Sequence, residues 1–111
     1  MGGIDYGRQK FWWAVKGMAE SAGGLRERLC DAYQKQIVHV TDDNVPEDVR
    51  SDLAKLNRML NHRPARHSKE GRCKATTDQM TDDEANAAAR LMMQLFDQIE
   101  GLYWEEIYSH K

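Results

Sequence analysis

From Thr81 to Ile107 apolar side chains recur at helical spacing for about 27 residues, and no other segment constrains the fold as strongly. Ala85, Ala88, Met92, Leu95, Phe96, Ile99, Leu102 and Tyr103 form one face, interrupted only by Gly101. At about 1.5 Å per residue this predicts a helix of about 40 Å, whose apolar face must be covered by other elements. Its start carries a capping box, Thr81-Asp82-Asp83-Glu84. There the threonine hydroxyl accepts from the amide of Glu84, and the Glu84 carboxylate accepts from that of Thr81.

Three earlier segments supply the cover. The first, about 6–22, places Phe11, Val15, Met18 and Ala22 on one face with Trp12 and Ala19 beside it, and Gly23-Gly24 breaks it. The second, about 25–40, carries Leu25, Leu29, Ala32, Tyr33, Ile37 and Val40 in the rhythm of an amphipathic helix. Its β-branched end, Ile37-Val38-His39-Val40, also suits extended backbone, which leaves its stop less defined than its start. Thr41-Asp42-Asp43-Asn44 is a turn cluster, after which Pro46 suits the first turn of a third helix, about 46–61. Val49, Leu53, Leu56 and Leu60 give that helix its stripe, and Pro64 stops it. No segment alternates as a strand does. The expected fold is all-α: a four-helix-bundle-like single domain, its helices joined by short turns except before the last.

That exception is 62–80, long for a connection and expected as a loop apart from a short helical turn near Thr76–Met80. A basic island runs into it. Arg58, Arg63, Arg66, Lys69, Arg72 and Lys74 face Glu70 alone, a local formal charge of +5. The chain as a whole is −2, so the remainder carries −7. Such a segment is the electrostatic footprint of an anionic partner, nucleic acid among them. Against that, it holds no aromatic residue on which a base would stack, and it matches no helix-turn-helix, zinc-finger or RNP signature. The acids of the last helix, Asp82, Asp83, Glu84, Asp97, Glu100, Glu105 and Glu106, offer the island an alternative partner, within the chain or across a dimer.

Composition narrows the class. With 111 residues, 41% hydrophobic and 31% charged, the chain suits one globular domain with its own core. No apolar run approaches a membrane span, and the N-terminus lacks the regions of a signal peptide. Tyr6 stands where a myristoylation signal has Ser or Thr, so the expected location is the cytoplasm. Cys30 and Cys73 are then free thiols. Cys30, in a helical pattern, reads as buried and inert; Cys73, between Arg72 and Lys74, reads as the reactive one.

No catalytic set emerges. His62, His67 and Cys73 have no recognised metal-ligand spacing and lie among cations, so neither metal nor cofactor is expected. The arginine-then-histidine spacing of all-helical nucleases is not met by Arg58 and His62, Arg63 and His67, or Arg58 and His67. His39 and His110 read as surface or helix-end residues, and Asp42/Asp43 and Asp82/Asp83 as helix-start acids. The aromatics say more. Trp12 and Trp13 point about 100° apart on a helix, so Trp13 leaves the core stripe. Trp104 leaves its stripe too and shares a side with Met93. Trp13, Met93 and Trp104 are therefore the candidate protein interface, with a second copy the simplest partner.

The order of blocks resembles a set of short uncharacterised bacterial all-helical proteins. Lys10-Phe11-Trp12-Trp13-Ala14-Val15 is followed by Gly24-Leu25-Arg26-Glu27-Arg28-Leu29 with Ala32-Tyr33. Val45-Pro46-Glu47-Asp48-Val49-Arg50 and Met80-Thr81-Asp82-Asp83-Glu84-Ala85 come next. The resemblance implies a helical fold and a bacterial or phage source, and brings no assigned activity. The functional expectation is a non-catalytic, self-associating interaction or adaptor protein; the alternative is nucleic-acid binding through 58–74.

Overall fold

Apolar residues at helical spacing become helices wherever the sequence supplies them, and one helix forms where it does not. The computed structural model describes residues 3–109; Met1, Gly2, His110 and Lys111, and with them the reading of His110, lie outside. Five α-helices form among the described residues: α1 (Gly3–Glu20), α2 (Leu25–Lys35), α3 (Arg50–Asn61), α4 (Arg72–Asp78) and α5 (Asp82–Ser109). No strand is present among them. Three 3₁₀ turns, Ile37–His39, Asp42–Asn44 and Glu47–Val49, join α2 to α3.

α5 is the spine. Its capping box forms as the sequence requires, with Thr81 N donating to Glu84 Oε1 at 2.9 Å and Glu84 N to Thr81 Oγ1 at 3.1 Å. Gly101 leaves the helix continuous. At 28 residues the helix is about 42 Å long, and it sets the 51 Å long axis of a body only 25 × 23 Å across. Ala85, Ala88, Leu91, Met92, Leu95 and Ile99 are its buried face. Against them pack Phe11, Leu29, Ile37, Leu53, Leu56 and Leu60, all at most 2% exposed. Each such side chain contributes about 2 kcal/mol of hydrophobic stabilisation before conformational entropy is charged against it.

The remaining elements depart from expectation for identifiable reasons. In α1 the buried line is Gly7–Phe11–Ala14 rather than Phe11–Val15–Met18–Ala22; Val15 and Met18 are half-buried and Ala22 is exposed. Gly7 turns the helix, because a Cβ there would sit 1.9 Å from the backbone oxygen of Asn44. Only glycine lets the Asp42–Asn44 turn lie so close to α1. That turn is held by Asn44 Oδ1, which accepts from Thr41 N at 2.9 Å and Thr41 Oγ1 at 3.0 Å.

α2 stops at Lys35, five residues short of 40, and a 3₁₀ turn still delivers Ile37 and Val40 to the core. β-branched side chains so close together favour the tighter, shorter element over more α-helix. Pro46 stands just outside the 3₁₀ turn Glu47–Val49 with extended ψ (147°), and regular α3 starts at Arg50 rather than 46.

The largest departure is 62–80. Instead of a loop, Arg72–Asp78 forms α4, so the described residues form five α-helices where four were expected. Its buried residues include Cys73, Thr76 and Thr77, and Met80 follows at the next turn. That is the i, i+3, i+4, i+7 spacing of a core stripe, written in cysteine and threonine instead of leucine. Packed against α2 and α3, it closes the end of the molecule where α5 begins.

Candidate interaction surfaces

The basic island is folded back onto itself, and its single acid is the reason. Glu70 is 6% exposed despite lying between cations. Its Oε1 accepts from Arg66 N at 2.9 Å and from Arg66 Nε at 2.9 Å, and its Oε2 pairs with Arg66 Nη2. Arg66 Nη2 also reaches Asp78 Oδ2 at 3.0 Å, to which Lys74 Nζ donates at 2.9 Å. This two-cation, two-acid cluster ties the 66–70 segment to α4. The Arg66 side chain, then its backbone N–H, hold the Glu70 carboxyl down at about 2, and Glu70 in turn raises the Arg66 guanidinium. Lys74, ahead of Arg66, likewise depresses Asp78.

The six predicted anion-binding cations therefore divide. Arg66 and Lys74 are engaged in these pairs. Arg63 is anchored by its backbone, which donates to the Thr76 hydroxyl at 3.1 Å; its Nη1 reaches Gln79 Oε1 at 3.5 Å while its Nε is buried without a hydrogen-bond partner. Arg58, Lys69 and Arg72 are exposed and make no ion pair among the described residues. Within the chain, the island meets Glu70 and Asp78 rather than forming ion pairs with the acids of α5. Two of those acids have other partners: Arg26 reaches Asp82 at 2.7 Å and Arg8 reaches Glu100 at 3.1 Å.

The predicted protein-facing residues divide as well. Arg8 meets Glu100, and four residues on Trp12 meets Phe96, ring centroids 6.0 Å apart, so α1 and α5 run antiparallel. Along α5, Met93 and Trp104 are eleven residues apart, about 20° from eclipsed, and both project from the side that borders α1. Trp12 joins them. These three are 45%, 47% and 42% exposed in the order Trp12, Met93, Trp104.

Trp104 is fixed by its neighbours: its indole N–H donates to Glu100 Oε2 at 2.7 Å, and its ring meets Tyr103 edge-on at 5.1 Å. The Arg8 guanidinium lies 4.4 Å from the centre of the Tyr103 ring and 5.9 Å from that of Trp104. Its hydrogen bonds to Asp5 Oδ1 and Glu100 Oε1, which accept, hold that cation in place. Trp13 does not share the face. It is 51% exposed over the groove between α1 and α2, beside Gly17, Arg28 and Gln36. Trp12 was the member the sequence assigned to the core edge; its size and its place next to Phe96 make it part of the surface strip instead.

Cys30 is buried as expected, and Cys73 departs from expectation. Cys73, expected as the reactive surface thiol, is 3% exposed, because α4 turns it inward while Arg72 and Lys74 face out. Cys30 is 8% exposed on α2, and both cysteines belong to the same buried core. The hydrogen bond from Cys73 brings the Cys30 thiol down to about 7, whereas the same bond and burial push Cys73 up. Among the described residues no group of three or more His, Cys, Asp and Glu side chains converges, and no helix is long and apolar enough to cross a membrane.

Compared with protein-family models, with curated proteins and with solved structures, the chain matches none.

Proposed function

We propose that this protein works by binding, as a non-catalytic helical interaction or adaptor protein that self-associates through the α1/α5 face. The observation that carries the proposal is the row Trp12, Met93 and Trp104, large apolar side chains left between two-fifths and a half exposed on adjacent antiparallel helices. Isolated surface apolar residues need no explanation, but aromatic and methionine side chains gathered on one face are the usual anchors of an interface. Trp104 is already held in one rotamer by Glu100, so little side-chain entropy is lost when a partner covers it. Arg8, Asp5 and Glu100 supply both charges on the same face, so two copies related by a two-fold axis can present opposite signs to each other.

Sedimentation equilibrium over a wide concentration range tests the proposal. The wild type should show a concentration-dependent dimer, and a Met93→Ala/Trp104→Ala variant should remain monomeric and folded. A wild type that is monomeric throughout, or a variant with unchanged mass, would overturn it.

A second reading, nucleic-acid binding through 58–74, is favoured by the exposed and unpaired state of Arg58, Lys69 and Arg72. Three phosphate contacts predict a slope of about −3 in log affinity against log salt, and about half that of a six-cation site. Fluorescence anisotropy of labelled duplex DNA, single-stranded DNA and RNA at several salt concentrations measures it. Binding confined to low salt would leave the segment without this role.

A further inference from the structure

Where the end of α3 meets the start of α5, the surface opens into a pocket of about 330 Å³. Helical spacing builds its walls. Arg58, Met59 and His62 fall along one edge of α3 and its C-terminal cap, and Glu84 and Ala87 along one edge of α5. Met80 joins them from the turn that precedes α5. Met80 is 6% exposed and Met59 is half-buried, so the interior is thioether and methyl while the polar groups stand at the exposed edge. Trp12, Met93 and Trp104 do not line it, which makes this a second surface, independent of the α1/α5 face.

The three polar side chains at the pocket are not equivalent. Glu84 is committed to the capping box, where its Oε1 accepts from Thr81 N at 2.9 Å. Arg58 and His62, one helical turn apart, are both exposed and have no hydrogen-bond or ion-pair partner among the described residues. An apolar pocket with an unpaired guanidinium and an unpaired imidazole at its edge is complementary to a negative charge carried on an apolar body. Guanidinium presents two parallel N–H donors that match a carboxylate, and an imidazole N–H can supply a third. A polyanion matches less well, because Glu84 repels it and neither Lys69 nor Arg72 lines the pocket to offset a second charge. The volume lies at the low end of small-molecule sites, suited to about ten non-hydrogen atoms. Methionine side chains, with flexible and polarisable thioethers, mould to such a body without a rigid template.

We propose that this pocket binds a small monocarboxylate with an apolar body, octanoate in size. Its hydrocarbon lies against Met59, Met80 and Ala87, and its carboxylate pairs with Arg58 and His62. The site stands whether or not the chain self-associates, and it gives Arg58 a role apart from that of Lys69 and Arg72.

The test titrates octanoate into the unmodified chain carrying carbon-13 methionine methyl groups. The Met59 and Met80 signals should shift and saturate with a dissociation constant of about 0.1 mM or below, within reach of about ten buried non-hydrogen atoms. Those of Met18 and Met93 should hold still. Octanol, which has the chain without the charge, and acetate, which has the charge without the chain, should each bind at least about tenfold more weakly. Arg58→Gln should weaken octanoate by at least about tenfold. Ala87 is exposed on a helix and leucine is a good helix former, so Ala87→Leu should fill the pocket, keep the amide spectrum of the fold and abolish the shifts. Absence of saturable shifts at Met59 and Met80, shifts centred on Met93, octanol binding as well as octanoate, or affinity unchanged in Arg58→Gln or in folded Ala87→Leu would each overturn the proposal.

Discussion

The α1/α5 face and the basic segment at 62–80 are made of opposite materials, and each ends in the state the other's composition suggests. The basic segment carries most of the chain's clustered positive charge, yet burying Glu70 and turning Asp78 toward Arg66 and Lys74 pairs two of its six cations internally. The α1/α5 face is made of apolar rings that belong in a core, yet Trp12, Met93 and Trp104 remain near half exposure. A charge cluster can be neutralised by one or two acids within reach. An apolar face is covered only by another surface, and a 28-residue helix in a body 25 Å across leaves part of its length without one. The segment that advertises a partner most loudly in sequence is thus one the fold has in part provided for.

The largest effect is expected where α1 is seated. Gly7→Ala puts a methyl group 1.9 Å from the Asn44 backbone oxygen, which no rotamer relieves. It should cost about 3 kcal/mol or more, read as a lower denaturant midpoint, and should disturb the α1/α5 face with it. Gly17→Ala on the same helix meets nothing within 4 Å and should be neutral or slightly stabilising. Equal effects at the two positions would remove the steric explanation.

Next comes the anchoring of the basic segment. Thr76 is fully buried, and its hydroxyl accepts from the Arg63 amide at 3.1 Å. Thr76→Val preserves shape and removes the acceptor, so thermal unfolding should report a loss of about 1–2 kcal/mol. At the interface, Trp104→Ala should raise the dimer dissociation constant at least about tenfold, whereas Trp13→Ala should alter it by less than about threefold.

The acid limb of the stability curve sharpens the comparison further. The folded-state carboxyl of Glu70 sits at about 2, below its unfolded value, so its contribution is complete above the ordinary carboxylate range. It is lost as pH falls from that range toward 2. Glu70→Gln should therefore flatten stability against pH in that window and leave the neutral-to-alkaline shape unchanged. A wild-type curve already flat there would contradict the cluster. The smallest effect should follow Lys69→Ala and Arg72→Ala, which remove side chains with no internal ion pair and should shift stability by no more than about 0.5 kcal/mol.

Much of this was legible in the chain itself. The Thr81–Glu84 capping box and the apolar run behind it determine α5, and Leu53, Leu56 and Leu60 determine α3, because those signals are local and redundant. α4 was hidden because its buried stripe is spelled Cys73, Thr76 and Thr77, residues that elsewhere mark turns and surfaces. The internal pairing of the island was also hidden. Nothing about Glu70 in sequence distinguishes it from a solvated acid; its importance comes from the chain reversal that brings Arg66 back over it. Cys73 misled for a related reason. Sequence neighbours set the charge along a chain, but helical rotation decides which of them share a side chain's environment. Of the interface residues, Met93 and Trp104 were paired by their spacing along one helix, while Trp12 depended on how α1 rolls about Gly7.

The central claim is that the α1/α5 face, and not the basic segment, meets a second copy. The three tryptophans report on it directly, since each gives its own indole N–H resonance in a nitrogen-15 correlation spectrum. The account predicts that on dilution the Trp12 and Trp104 indole signals move together while that of Trp13 and the backbone amides of 62–71 hold still. Spectra that do not change with concentration, or that change at Trp13 and 62–71 instead, would contradict it.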